Sequence, residues 1–226
     1  MATIPVEILF TILIIFFTIL VHINNLARKQ LLAFIIHTVV MGILTFYIGM
    51  QFSDPLKVLD FILIAIITVS VKGIMIPVII LKAFSKLKYE EEPKAFAISI
   101  TRTVFTSVFL VILAYAIIWP VLAALPGGSL TPVTTVLLPA SFGVVLMGFY
   151  MLATGKKIYT QIIALLVMEN GIYFASIATT YGLSFLLEIG ILFDTIAAVG
   201  IMAVFLFVIQ RNLKTVQTKQ MEELID

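Results

Sequence analysis

The sequence contains no cysteine. That excludes a disulfide framework, cysteine-ligated zinc and cysteine-ligated iron–sulfur clusters, so any electron transfer linked to this chain takes place in another protein. Charge is scarce as well, at 12% of 226 residues against 62% hydrophobic. Soluble domains carry about 25% charged and roughly 45–50% apolar residues. The shortage of charge rules out an ordinary solvated surface and points to a chain dissolved in lipid. Strands of a transmembrane barrel are excluded too, because the apolar runs are far longer than the roughly ten alternating residues such strands need.

What is present is a series of seven apolar runs, each close to the roughly 20 residues that cross a bilayer as a helix. They extend from Ile4 to Ile23, Leu31 to Met50, Leu56 to Phe84, Ala95 to Leu125, Thr131 to Ala153, Ile158 to Thr180 and Leu183 to Gln210. The segments between them carry turn-forming residues, most clearly Pro126-Gly127-Gly128-Ser129. The first run lacks a basic preceding region and a small-residue cleavage pattern, and is read as a retained helix. The expectation is an all-α polytopic membrane protein with seven transmembrane helices and no soluble catalytic body. Residues 1–125 form a four-helix region, and 126–226 form a three-helix region with a short tail.

If the helices alternate, eleven of the fourteen Lys and Arg residues fall on one side of the membrane. These are Arg28, Lys29, Lys82, Lys86, Lys88, Lys94, Lys156, Lys157, Arg211, Lys214 and Lys219. The other side holds only Lys57, and Lys72 and Arg102 lie inside spans. The positive-inside rule then sets the N-terminus outside and the C-terminus in the cytoplasm, in a prokaryotic plasma membrane. An even number of helices would scramble this asymmetry.

A charge near the bilayer centre costs roughly 2.5–3.5 kcal/mol on insertion scales, so ionisable residues there call for a reason. Four stand out: Lys72, Glu169, Glu188 and Asp194. At ~1.5 Å per helical residue, Lys72, Glu169 and Asp194 fall at similar depth on three different helices, with Glu188 shallower toward the outer side. One acid and one base make a packing ion pair. Two acids and a lysine give a proton alternative positions, which is what a relay requires. Glu169, Tyr173 and Ser176 form one polar stripe, and Gly190, Ala197 and Ala198 make a small-residue face around Asp194. The remaining polar residues admit plainer readings. His37 is a packing histidine, His22 and Asp60 lie near helix ends, and Arg102 extends to the interface. Pro77, five residues past Lys72, loosens its helix. Gly127-Gly128 lacks the strand–helix setting of a phosphate loop. No catalytic, cofactor-binding or metal-ligating residue is assigned.

Met168-Glu169-Asn170-Gly171 resembles the Met-Glu-Asn-Gly motif of the hydrogenase-4 component E family. Glu188-Ile189-Gly190-Ile191-Leu192-Phe193-Asp194 resembles that family's Glu-Ile-Gly-Ile-x-x-Asp motif, and Val71-Lys72-Gly73-Ile74-Met75-Ile76-Pro77 its lysine-plus-proline helix. The last three helices are similar to the K-type subunit of complex I, with Asp194 in place of that subunit's second glutamate. The resemblance implies a membrane-arm subunit of a group 4 nickel–iron hydrogenase or formate hydrogenlyase-like complex, beside antiporter-like subunits. In that setting Glu169 and Asp194 carry protons, Lys72 is their electrostatic partner or a relay member, and Glu188 gives access. The nickel–iron and iron–sulfur centres lie in partner subunits. The rival readings are a purely structural adaptor with fixed ion pairs, and a stand-alone transporter or receptor. A retinal-type photoreceptor would carry its buried lysine in the last helix, whereas here it lies in the third.

Overall fold

The computed structural model describes residues 6–24, 26–85, 96–124 and 131–180, with Gly190, Phe193, Ala197 and Gly200 as isolated helical positions. Its elements are α1 (Val6–Ile23), α2 (Ala27–Gly49), α3 (Pro55–Thr68), a π-helical segment (Val69–Met75), α4 (Ile76–Ser85), α5 (Phe96–Ala123), α6 (Pro132–Thr154) and α7 (Ile158–Thr180). No strand occurs among the described residues. Six helices are long and apolar enough to cross a membrane, the third being the continuous run Pro55–Lys82. They match the first six expected spans closely. The seventh, Leu183–Gln210, lies outside the described residues except at the four isolated helical positions.

Local sequence explains where these helices begin. Asp54 caps α3 by accepting a hydrogen bond from the Leu56 N–H at 3.0 Å, and Pro55 follows in the first turn. Thr131 does the same for α6, accepting from the Thr134 N–H at 3.1 Å ahead of Pro132. Both use a side-chain oxygen for a donor the helix leaves open, and a proline where no N–H is needed. Inside the spans, the hydroxyls of Thr11, Thr18, Thr38 and Thr45 each donate to the carbonyl four residues back. That bond lets a polar side chain sit in an apolar layer without water.

Exposure is inverted relative to a soluble protein. Phe105, Trp119, Leu56 and Phe149 are exposed, whereas Thr18, His37, Thr38, Lys72, Ser107, Ser141 and Asn170 are fully buried. Apolar exterior around polar interior is the arrangement a lipid solvent selects.

Opposed residues give the helix directions. Gly42 faces Val69, Gly49 faces Phe61 and Gly73 faces Thr38, so α3 and its π segment run antiparallel to α2. Thr160 bonds Gln30, Asn170 bonds Thr38 and Tyr173 bonds Thr45, so α7 runs parallel to α2. This is the pattern that alternating spans require, and it gathers Arg28, Lys29, Lys156 and Lys157 at one end of the bundle.

The innermost helix is α7, with 67% of its spanning window buried against 17% for that of α5. Small residues let α6 and α7 approach closely. A Cβ on Gly171 would lie 2.9 Å from the backbone N of Val145, and one on Gly148 would lie 2.9 Å from that of Met168. Neither neighbour is a flexible side-chain tip, so both sites resist enlargement. Gly171→Ala is expected to cost about 1–3 kcal/mol by overpacking. Thermal unfolding of the detergent-solubilised protein checks this, and an unchanged midpoint would show that α6 and α7 do not pack through Gly171.

Candidate ion-relay site

Lys72 sits in the π-helical segment, where Ile76 N–H bonds the Val71 carbonyl five residues back. Pro77, which has no N–H, follows immediately. The loosening expected beside this proline is therefore a local change of helical register. Such π segments are rare and often mark functional positions. Here the widened turn carries the lysine into the bundle, where its side chain is fully buried.

Three groups from α7 surround that interior. Glu169 Oε2 lies 3.9 Å from Lys72 Nζ, and its side chain retains 16% exposure. The ring of Tyr173 lies beneath the ammonium at 5.9 Å from Nζ to the centroid, within cation–π range. The Tyr173 hydroxyl is 2.7 Å from Thr45 Oγ1. Since the Thr45 proton goes to Met41 O, Tyr173 is the donor in that pair. Ser176, the third member of the expected stripe, donates to the Tyr173 carbonyl. Two of the expected relay residues, Lys72 and Glu169, thus meet. Glu188 and Asp194 lie outside the described residues.

At the same level lies a second polar cluster, since Asn170 follows Glu169 on α7 and Gly73, next to Lys72, faces Thr38. The Asn170 amide nitrogen is 2.9 Å from Thr38 Oγ1 and 3.2 Å from His37 Nδ1. Thr38 spends its only proton on the Phe34 carbonyl, so its oxygen accepts from Asn170. The same amide then donates to His37 Nδ1, which leaves the imidazole proton on Nε2. His37 and Asn170 are both fully buried, and His37 stacks on Phe34. Farther toward the basic end, Thr160 donates to Gln30 at 3.3 Å, and Gln30 is buried.

These contacts set polar groups along α2 and α7 at three levels: Gln30–Thr160 near the basic end, then His37–Thr38–Asn170 beside Lys72–Glu169, then Thr45–Tyr173, with the apolar Leu31–Ile36 stretch of α2 separating the first level from the second. From Gln30 to Thr45 the helix rises about 22 Å at ~1.5 Å per residue, most of a hydrocarbon layer of roughly 30 Å. The His37–Asn170 and Lys72–Glu169 groups are chemically suited to holding a proton or small cation within an apolar slab. Among the described residues, no three His, Asp or Glu side chains converge as a metal site would need.

The plainer readings divide. Arg102 and Asp60 are exposed, as residues reaching the interface would be. His22 pairs through Nδ1 with Ser107 at 2.9 Å and stacks edge-on against Tyr150. His37 is engaged at one ring nitrogen by Asn170, and its other ring nitrogen has no hydrogen-bond partner among the described residues. The link between His37 and Asn170 escaped the sequence reading. Its one signal was an imidazole and an amide each set in an apolar span, where each needs a polar neighbour.

Comparison with protein-family models, with curated proteins and with solved structures finds no match to this chain.

The two clusters are expected to respond differently to mutation. Asn170→Leu leaves His37 Nδ1 buried without its donor and is expected to cost about 1–3 kcal/mol. Tyr173→Phe removes a bond whose acceptor is satisfied elsewhere and is expected to cost about 0.5–1.5 kcal/mol. Denaturation of the two variants in the same detergent ranks them, and the reverse order would contradict the hydrogen bonding described for Asn170.

Proposed function

We propose that this chain is a membrane-arm subunit of a complex I-like redox assembly of the membrane-bound hydrogenase or formate hydrogenlyase kind, and that it helps couple electron transfer to proton or sodium translocation. The observation that carries the reading is the Lys72–Glu169 pair, two ionisable groups from different helices, 3.9 Å apart in the interior of an apolar bundle. A charge there is costly, and such residues mark ion paths and proton relays. In this reading Glu169 alternates between the ionised form facing Lys72 and the protonated form as the ion passes. Asp194 is the next carrier, and Glu188 gives access from the outer side. The motif resemblances over Val71–Pro77, Met168–Gly171 and Glu188–Asp194 support the choice of assembly.

The chain supplies no thiolate for nickel–iron or iron–sulfur centres, so those groups belong to partner subunits, alongside antiporter-like chains. The basic bias between loops supports an outside N-terminus and a cytoplasmic C-terminus in a prokaryotic plasma membrane.

Affinity isolation of the tagged chain from native membranes in mild detergent is expected to recover antiporter-like subunits and a hydrogenase-like large subunit. Within that complex, Glu169→Gln is expected to preserve assembly and electron transfer while abolishing redox-driven ion uptake into vesicles. Normal uptake by an assembled Glu169→Gln complex would remove the role given to this residue. Failed assembly with intact uptake in the fraction that forms would favour the structural adaptor.

A further inference from the structure

Two buried polar atoms of the His37–Asn170 cluster have no hydrogen-bond partner among the described residues: His37 Nε2 and Asn170 Oδ1. A third, Thr68 Oγ1, stands one turn before Lys72 on the same helix, and it too is fully buried without a partner. A buried polar group left unmatched is rare in native proteins and normally signals an ordered water or ion. The chemistry at His37 and Asn170 selects between these. Thr38 fixes the Asn170 amide, the amide fixes the imidazole tautomer, and His37 Nε2 is therefore an N–H donor. A metal cation is repelled by an N–H. Water molecules, which accept from one group and donate to another, fit a donor and an acceptor held in one cluster, and internal waters take about two to four such partners.

We infer that His37 and Asn170 hold internal water at the level of Glu169, through which protons reach the Lys72–Glu169 pair. His37 donates from Nε2 to one water, and a second water linked to the first donates to Asn170 Oδ1, since the two imidazole nitrogens diverge too widely for one molecule to span both. A proton arriving on these waters is matched by one leaving toward the Glu169 carboxylate. The imidazole remains neutral throughout, because the Asn170 amide occupies the lone pair of Nδ1. His37 is thus a positioning residue for the water rather than a proton carrier. Thr68 offers a corresponding hydroxyl on the other side of the pair. The transport role rests on the proposed function, whereas the hydration of the site does not.

The chain has two histidines, so the His22→Gln variant labelled with 15N-histidine reports on His37 alone. Solid-state NMR of the full chain in lipid bilayers is expected to show the Nε2–H tautomer with magnetisation transfer from water to that proton. Thr38→Val, which removes the acceptor that orients Asn170, is expected to give a mixture of tautomers. An Nδ1–H tautomer in the Thr38-containing protein, or an Nε2–H without transfer from water, would overturn the water site. For the transport role, His37→Phe is expected to slow redox-driven proton uptake about a hundredfold, the lower end of what a positioned proton-transfer group contributes. Undiminished uptake by an assembled His37→Phe complex would overturn that role even where the NMR reveals water. A wild-type complex with no uptake at all would instead count against the proposed function and leave the NMR result to decide the site.

Discussion

An ammonium and a carboxylate held within an apolar bundle set the terms for what is packed around them. Lys72 is fully buried, and Glu169 lies 3.9 Å away on another helix. Neither group tolerates hydrocarbon alone, since desolvation disfavours the charged form of each. The pair therefore needs close polar company. The π segment brings the lysine inward, Tyr173 lays its ring under the ammonium, and the glycine contacts of Gly148 and Gly171 draw α7 tightly against α6. The polar residues of α2 extend the same solution along that helix. Each threonine there satisfies its own hydroxyl within its helix, so its oxygen remains available as an acceptor for α7.

This arrangement differs from a structural salt bridge in what lies on either side. An isolated ion pair in a membrane core would be enclosed by apolar side chains. Here the pair has polar neighbours instead, His37, Thr38 and Asn170 at its own level and Thr45 and Tyr173 beyond it. Burying these polar groups is a costly way to pack two helices together, when small-residue contacts of the α6–α7 kind achieve that without them. The cost is accounted for if an ion passes between the groups.

Much of the architecture was legible in the sequence, because lipid imposes a simple code of length and hydropathy. Six spans followed from it. So did the similar depth of Lys72 and Glu169 on two helices, though not that their side chains meet. Rotation about the helix axis was not legible. The spans of α2 and α7 are apolar almost all round, so no hydrophobic stripe shows which side faces protein. Whether His37 met lipid, α1 or α7 could not be read from its position. The π register at Val69–Met75 was foreshadowed by Pro77, but its extent depends on how α2 packs against Val69 and Gly73. Glu188 and Asp194 were legible only as acids in a last apolar run, and they lie outside the described residues.

The central claim is that Lys72 and Glu169 serve a moving ion rather than a fixed bond. The most direct test exchanges them, as Lys72→Glu combined with Glu169→Lys, and measures redox-driven ion uptake by the assembled complex in vesicles. The exchange keeps an ion pair between the same two helices but moves the carboxylate from α7, next to Asn170, to the π-helical segment. The account predicts an assembled complex that transfers electrons without ion uptake. An assembled complex with uptake at the wild-type rate would contradict it and make the pair a structural bond.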